Sequence, residues 1–498
     1  MYNGYVMSKK VILFYPRHTK GWEAQAWRDI PLGLLCVATP LVHAGYTVKI
    51  IDQRLEPQWR KILLQELRDR PICVGLSTTT GPQLRYALEV SRIVKKYANV
   101  PVVWGGVHPS LLPEQTLREK DIDIIVEGEG EITFLELVRA LEEKNQLSAV
   151  QGIWYKQNSL IRRTKNRPFI ELDEQPPLAW DLIEPRRYIR KVYGIERLSF
   201  FTSRGCPHSC AFCYNPVFNK RCWRSMNPDL AVERLKDFTN RYKVKGIFLT
   251  DPNFFVDVNW SRALLKKIIS EKLDITFTRI HICLDSLKNL NNDDFELLEK
   301  VGCRCLAIGI ESGSQRIRAL LNKPINEALL SKLNRKFANY SFFPHYFFML
   351  GFPTETKAEI KETISLSLKL VEENPKASKS VNIYTPYPGT ELFDLAVKCG
   401  MKPPQRTKDW IELNYRSVSR FSGFLSNEMR RIVEMLDFCS FFVGRKSYVA
   451  PYKKTNKLIV FLSNLYSSIA RKRIENLYYR FPLEIRLVKL LRLYAKQS

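Results

Sequence analysis

Short apolar runs alternate with amphipathic stretches along the first 150 residues. KVILFY (10–15) reads as a buried strand, and a long loop follows it to about residue 31. PLGLLCVATPLVHAG reads as a helix stopped by Gly45, with YTVKIID as the next strand. ICVGLSTTT is then strand and loop, QLRYALEVSRIVKKYA helix, and VPVVWGG strand. After a further helix, DIDIIVEGEGE is strand and loop, and ITFLELVRALEE is helix. This alternation predicts an α/β fold with a doubly wound, parallel, Rossmann-like sheet over residues 1–150. Ligands of such sheets bind beyond the carboxyl ends of the strands, here residues 15–30, 77–82, 104–109 and 127–131.

The pattern changes at 151–192, where alternating strand signals and then prolines read as a hairpin and an ordered linker. A second β/α series follows over 193–400. Its strands are LSFFTS, GIFLTD, DITFTRIHI, CLAIGIE, YFFMLGF and SVNIYTPY, with helices between them. Six strands with crossover helices predict a partial (β/α)6 barrel. Residues 401–498 read as a basic, helical C-terminal region.

Composition sharpens this picture in two places. Of 498 residues, 45% are hydrophobic and 12% aromatic, enough to fill more than one core and unlike a disordered chain. Eleven cysteines, mostly scattered, and a start (MYNGYVMSKK) without leader character lead us to expect a reduced, cytoplasmic setting. No apolar run reaches the roughly 18–20 residues of a spanning helix. The net charge of +27 is uneven, for residues 441–498 hold thirteen Lys and Arg against only Glu475 and Glu484. Near the end Leu483, Leu487, Leu490, Leu491 and Tyr494 share one helical face, with Arg486, Lys489, Arg492 and Lys496 beside and behind it. Such a stretch fits a cap on the barrel or a helix lying on an anionic membrane face. Nucleic acid is the least supported partner, since no reader motif is present.

The chemistry concentrates at RGCPHSCAFCYNP (204–216), where Cys206, Cys210 and Cys213 fall within eight residues. Three thiolates on a loop after a first barrel strand can hold three irons of a cubane cluster and leave the fourth iron open. A structural zinc needs a fourth ligand, for which His208 and Cys222 are candidates, and incidental loop thiols are the bland alternative. Cys222, Cys283, Cys303 and Cys305 match no auxiliary-cluster spacing and read better as buried thiols.

The CxxxCxxC group, with Phe212 before its last cysteine, resembles the radical S-adenosylmethionine superfamily. That resemblance implies a [4Fe–4S] cluster whose open iron is chelated by S-adenosylmethionine, and release of a 5′-deoxyadenosyl radical on one-electron reduction. GCRCLAIGIESGSQRIRALLNKPIN (302–326) looks like the family's fourth strand, which implies that Glu311 and Ser312 reach the nucleoside and methionine ends. FMLGFPTET, with Gly351 and Pro353, resembles the motif that packs on adenine, and YTPYPGTEL the end of the sixth strand. Where the family often shows a GGEP-like run, this chain has Thr250, Asp251, Pro252 and Asn253, and a carbonyl or Asp251 stands in for the amine acceptor. Arg279 is the candidate for a carboxylate, or else a surface ion-pair residue. Tyr346, Tyr384 and Tyr387 are pocket or packing residues.

A doubly wound domain before such a core resembles the cobalamin-binding subgroup. The resemblance, covering residues 10 to about 400, assigns Ser77, Thr78, Gly105, Gly106, His108, Glu127 and Gly128 to cobalamin. The first loop reads Tyr15, Pro16, Arg17, His18 and lacks a DxHxxG motif, so no histidine from that motif is expected on cobalt; Trp22 and Trp27 are corrin-cover or core residues. Two such cofactors imply methylation of an unactivated carbon on a small-molecule or lipid substrate, with a flavodoxin- or ferredoxin-like electron donor. The rivals are a radical cyclase or carbon–carbon coupling enzyme that uses no cobalamin, RNA methylthiolation, and a non-catalytic sensor or carrier.

Overall fold

The structure, a computed structural model, describes residues 9–18, 28–413, 423–440, 442–443 and 457–480. Trp22, Trp27 and the basic stripe of 483–496 lie outside the described residues. The chain forms two compact units: one of residues 1–189, 217–219 and 404–413, the other of residues 190–216, 220–403 and 414–498.

In the first unit, β1 (Lys10–Tyr15), β2 (Thr47–Asp52), β3 (Cys73–Ser77), β4 (Val102–Gly105) and β5 (Ile124–Val126) pair in parallel. The order is β2-β1-β3-β4-β5, so the direction of winding reverses between β1 and β3. The strands are near-continuous apolar runs because helices cover both faces. Val11, Leu13, Leu34, Leu41, Phe134, Leu137 and Val138 form one buried cluster. The hairpin expected after residue 150 is present as β6 (Ile153–Gln157) and β7 (Leu160–Arg163). It adds antiparallel to β5 and extends this sheet to seven strands. The sequence pattern missed a helix at Trp59–Leu67, whose Trp59, Leu63 and Leu67 are buried at four-residue spacing. The single helix expected after β4 is two short ones, Val107–Leu111 and Pro113–Leu117, broken where proline opens the second.

Residues 404–413 also belong to this unit. Trp410 is 1% exposed and donates from Nε1 to Gln115 Oε1 at 2.6 Å, while Gln115 Nε2 donates to the carbonyl of Pro404 at 3.0 Å.

The second unit is built on another seven-stranded sheet. Its parallel strands are β9 (Ile195–Phe200), β12 (Gly246–Leu249), β13 (Thr276–Cys283), β14 (Cys305–Glu311), β15 (Phe343–Leu350) and β16 (Ser378–Ile383). These are the six expected strands. The short strand β8 (Arg190–Val192) folds back antiparallel on β9 through Tyr193 and Gly194, both with positive φ. The order β16-β15-β14-β13-β12-β9-β8 leaves the barrel open. The connecting helices start where local chemistry caps them. Asp257 accepts from the amides of Asn259 and Trp260, and Asn291 with Asp294 and Thr356 with Glu359 form reciprocal capping boxes.

Burial along these strands alternates with the pleat. Ile247, Leu249, Ile280, Ile282, Leu306, Ile308, Phe348 and Leu350 are buried against the helices. The opposite, concave side presents Phe248, Arg279, His281, Cys283, Phe347 and Met349, all partly exposed. An inner face more open than the outer one is what a ligand-holding barrel requires.

Candidate active site

The cysteine loop leaves the sheet immediately after β9 and is held at both ends. Asp251, 1% exposed, accepts from the Thr202 amide (2.8 Å), the Thr202 hydroxyl (2.6 Å) and the Ser203 hydroxyl (2.6 Å). Both its oxygens are therefore engaged in fixing where the loop begins, although burial raises its pKa. A two-stranded ribbon, β10 (Ser203–Arg204) with β11 (Arg224–Ser225), closes the loop's base. At its middle the Ala211 amide donates to the carbonyl of Leu321, and the Ala211 carbonyl accepts from the Leu392 amide. Ala211 is buried with Ile317, Leu321, Phe352, Tyr384 and Leu392, and Phe212 packs against that cluster.

The clamped loop carries Cys206, Cys210 and Cys213, near enough for their thiols to act on one another's ionisation. Burial raises the pKa of Cys210, and raises that of Cys213 to about 11. Cys206 is lowered, first by a hydrogen bond with the Cys283 thiol. Thiols held this way ionise when a metal takes the proton's place, so loading a metal must release protons. His208 and Cys283 stand beside the loop, with ligand atoms of Cys206, His208 and Cys283 all within 4.8 Å of one another. Cys283 is thus not a sequestered core thiol but the last residue of β13, on the concave face. Cys303 and Cys305 are buried in the sheet, and Cys222 is exposed.

Glu311 sits at the neighbouring strand end in a strained conformation, with φ of +70° after an irregularity in the β14–β15 register. Its carboxylate accepts from Lys323 Nζ at 2.6 Å, and both side chains are about nine-tenths buried. Burial pulls the Lys323 pKa down, but the charges of Glu311 and the nearby cysteines outweigh it and leave the group raised. Gly309 makes the pair possible, since a Cβ there would lie 2.6 Å from Lys323 Nζ. Sequence reasoning overlooked Lys323, because only the turn after the Gln315–Leu320 helix brings it back to Glu311.

Ser312 is fully buried and shares a hydrogen bond with Thr363 Oγ1 (3.0 Å), bracing the turn behind Glu311. Gly351 (φ +82°) and Pro353 form the tight turn after β15, where the amides of Gly351 and Phe352 donate to Glu355. Thr250 is exposed at the end of β12, its hydroxyl donating to the Phe200 carbonyl. Arg279 stands four residues before Cys283 on the same strand, about 13 Å lower on the concave face. Among the tyrosines, Tyr346 is an outer packing residue that donates to Asn334, Tyr384 lies in the cluster under Ala211, and Tyr387 meets Tyr214 edge-on.

In the first unit, the loops after β3, β4 and β5 bring Ser77, Thr78, Gly105, Gly106, His108 and Gly128 to one edge. The Thr78 amide donates to Gly105, and the His108 amide to Thr78. Gly106 (φ +93°) allows this approach: a Cβ there would be 2.7 Å from the Thr78 carbonyl oxygen. The His108 ring is fully buried, shares a 3.0 Å hydrogen bond with Thr80 through Nδ1, and lies edge-on to Trp410. Burial lowers its pKa to about 3, so it is neutral, and its Nε2 has no partner among the described residues. Glu127 turns the other way, accepting from Trp154 Nε1 at 2.6 Å and from Arg163 on the hairpin. His18 lies near Tyr15, with its pKa lowered to about 4 by burial.

Both sites suit the groups the resemblance implied: three soft thiols on a fixed loop, and a glycine-lined strand edge with an orphaned buried nitrogen. Comparison with known proteins agrees. Residues 200–367 match the model of the radical SAM superfamily, and residues 30–138 that of the B12 binding domain. An uncharacterized methyltransferase, PH0819, from Pyrococcus horikoshii is 30% identical over 461 residues, 90% of this chain and 94% of its own. The anaerobic magnesium-protoporphyrin IX monomethyl ester cyclase of Synechocystis is 27% identical over 57% of each chain. The radical S-adenosylmethionine methyltransferase TsrM from Kitasatospora setae superposes with a TM-score of 0.65 at 17% identity, covering 80% of this chain and 76% of its own, a likeness of fold. With this loop, these strand ends and these matches, the chain belongs to the radical S-adenosylmethionine enzymes that carry a B12-binding domain, a family that includes methyltransferases.

Proposed function

We propose that this protein is a cobalamin-dependent radical methyltransferase acting on an unactivated carbon. Cys206, Cys210 and Cys213 would hold a [4Fe–4S] cluster, and Glu311, the Phe212 ring, Gly351 and Pro353 would meet S-adenosylmethionine beside it. Ser77, Thr78, Gly105, Gly106, His108 and Gly128 would hold cobalamin. Bound there, these groups supply a 5′-deoxyadenosyl radical for hydrogen abstraction and a methyl group for transfer. The chain's own part is to fix and exclude. Asp251 anchors the loop, Lys323 holds the Glu311 carboxylate in place, and Gly309 leaves room for both. A carboxylate suits a ribose diol because each hydroxyl can donate to it. The Glu311–Lys323 corner next to a clamped cysteine loop is the observation that carries the reading.

A small-molecule or lipid substrate and a flavodoxin- or ferredoxin-like donor complete the proposal, in a cytoplasmic setting. Contact with an anionic membrane face through the basic C-terminal region, 401–498, is supported by its sequence alone. No described helix is long and apolar enough to cross a membrane.

Anaerobic reconstitution with iron, sulfide and hydroxocobalamin tests this. We expect about four irons and about one cobalt per chain after desalting. The Cys213→Ala variant should lose the cluster's absorption while keeping cobalt. Iron without cobalt would remove the methyl-transfer step and favour the cyclase reading, which the cyclase relative also supports.

A further inference from the structure

Below the cysteine loop, the concave face of the second unit changes character. Arg197 on β9, Arg279 and His281 on β13, and His345 on β15 all face inward, and the strand register sets them side by side. Phe248 pairs with Ser199 on one side and Arg279 on the other, and His281 pairs with Ala307, which pairs with His345. The Arg197 guanidinium lies 4.2 Å from the centre of the Phe248 ring. His281 is 6.1 Å from Phe248 and stacks on Phe347 at 6.4 Å, and His345 meets Phe347 at 4.6 Å. The chain of contacts across the floor is unbroken. His345 shares hydrogen bonds with Ser378 (2.8 Å) and Ser380 (3.1 Å), which fix its ring.

Two further observations point to a ligand. Ser199 is 2% exposed, yet its hydroxyl has no partner among the described residues. Arg279 and His281 are only partly buried although they stand mid-strand, so the face is open to a guest. Burial and the two arginines lower the pKa of His281 to about 3, and burial and Arg279 lower that of His345. Both rings are therefore neutral hydrogen-bonding groups, and the cations that act on them are Arg197, Arg279 and Lys379.

We infer that this floor is the substrate's anion site, binding a carboxylate or a phosphate-type oxyanion between Arg197 and Arg279, with Ser199 as a donor. A guanidinium offers paired N–H groups that match such an oxyanion, and a partly dry barrel strengthens the contact. The radical reaction needs its carbon placed to within a fraction of an ångström. An anionic handle gripped about 13 Å below the cluster loop would supply that placement for an otherwise featureless hydrocarbon. This assignment rests on the radical-enzyme reading and gives Arg279 to the substrate rather than to S-adenosylmethionine.

Calorimetric titration of the full reconstituted chain with inorganic phosphate, methylphosphonate and acetate, at constant low ionic strength, tests it. Binding of phosphate and methylphosphonate over acetate would name a phosphate-type head, and the reverse order a carboxylate. Arg279→Met and Arg197→Met should each weaken the preferred anion at least tenfold, and Arg279→Lys should recover part of the loss. Ser199→Asp keeps both arginines but sets a competing carboxylate beside them, and should weaken binding at least tenfold, with the melting temperature reporting that each variant is folded. Absence of binding by all three probes would overturn the inference. So would binding that survives every variant, since the anion would then sit elsewhere on this basic chain. Formation of 5′-deoxyadenosine by the wild-type chain, measured alongside, separates this failure from failure of the radical reading itself.

Discussion

Single side chains here carry costs that only a function would justify. Glu311 combines a left-handed backbone with a buried carboxylate, and Lys323 neutralises it. Removing one partner strands a buried charge, so Lys323→Met should destabilise the fold by about 3 kcal/mol. The Lys323→Met, Glu311→Gln double variant should regain most of that loss. Chemical unfolding of the four chains of this cycle measures both. Glu355 is a second such residue. Burial raises its pKa to about 8, against the pull of the amides of Gly351 and Phe352. Between its ordinary value and about 8, the folded chain holds a proton that the unfolded chain releases, so stability falls as pH rises through that window. Glu355→Gln cannot ionise, and its melting temperature should exceed wild type at pH 9 while nearly matching it at pH 5. The cysteine triplet was legible in the sequence because its spacing is local. Lys323 and Arg197 were not, and Cys283 and Arg279 were named without their neighbours, since register and a turn bring these residues together.

At the scale of elements, the alternation of apolar runs located the parallel strands of both sheets, because buried strands between helices leave little room for other patterns. The failures have physical causes. WRKILLQEL is a short amphipathic helix without a side-chain cap, so nothing marks its ends. The hairpin Ile153–Arg163 has the right strand signals, but nothing local says that its partner is β5. Strand ends do the positioning, and their tolerances are narrow. At the β4 turn, Gly106→Ala would place a methyl group against the Thr78 backbone in a conformation alanine resists. The prediction is a variant that still carries iron but retains at least tenfold less cobalamin after desalting, read from the visible spectrum.

For the whole molecule, the order of a doubly wound unit followed by a barrel-like unit was legible from periodicity alone, and the resemblance added which cofactors each suits. The charge of +27 and its excess in the last stretch were legible along the sequence; of that stretch Arg471, Lys472, Arg473 and Arg480 are among the described residues, and the stripe of 483–496 lies outside them. The assignment of residues 404–413 to the first unit was not legible at all, because a Trp410–Gln115 hydrogen bond spans 295 positions. That long return has a consequence for how the protein is made. The first unit's sheet leaves the ribosome early, but the tryptophan that covers His108 follows more than two hundred residues later, roughly 10–45 s at ordinary elongation rates. Until then the nascent first unit has a bare flank, and the residues that later touch Trp410 are accessible to chaperones. The first unit is thus first in sequence but among the last parts to be finished, and a fragment ending at residue 189 would never complete it.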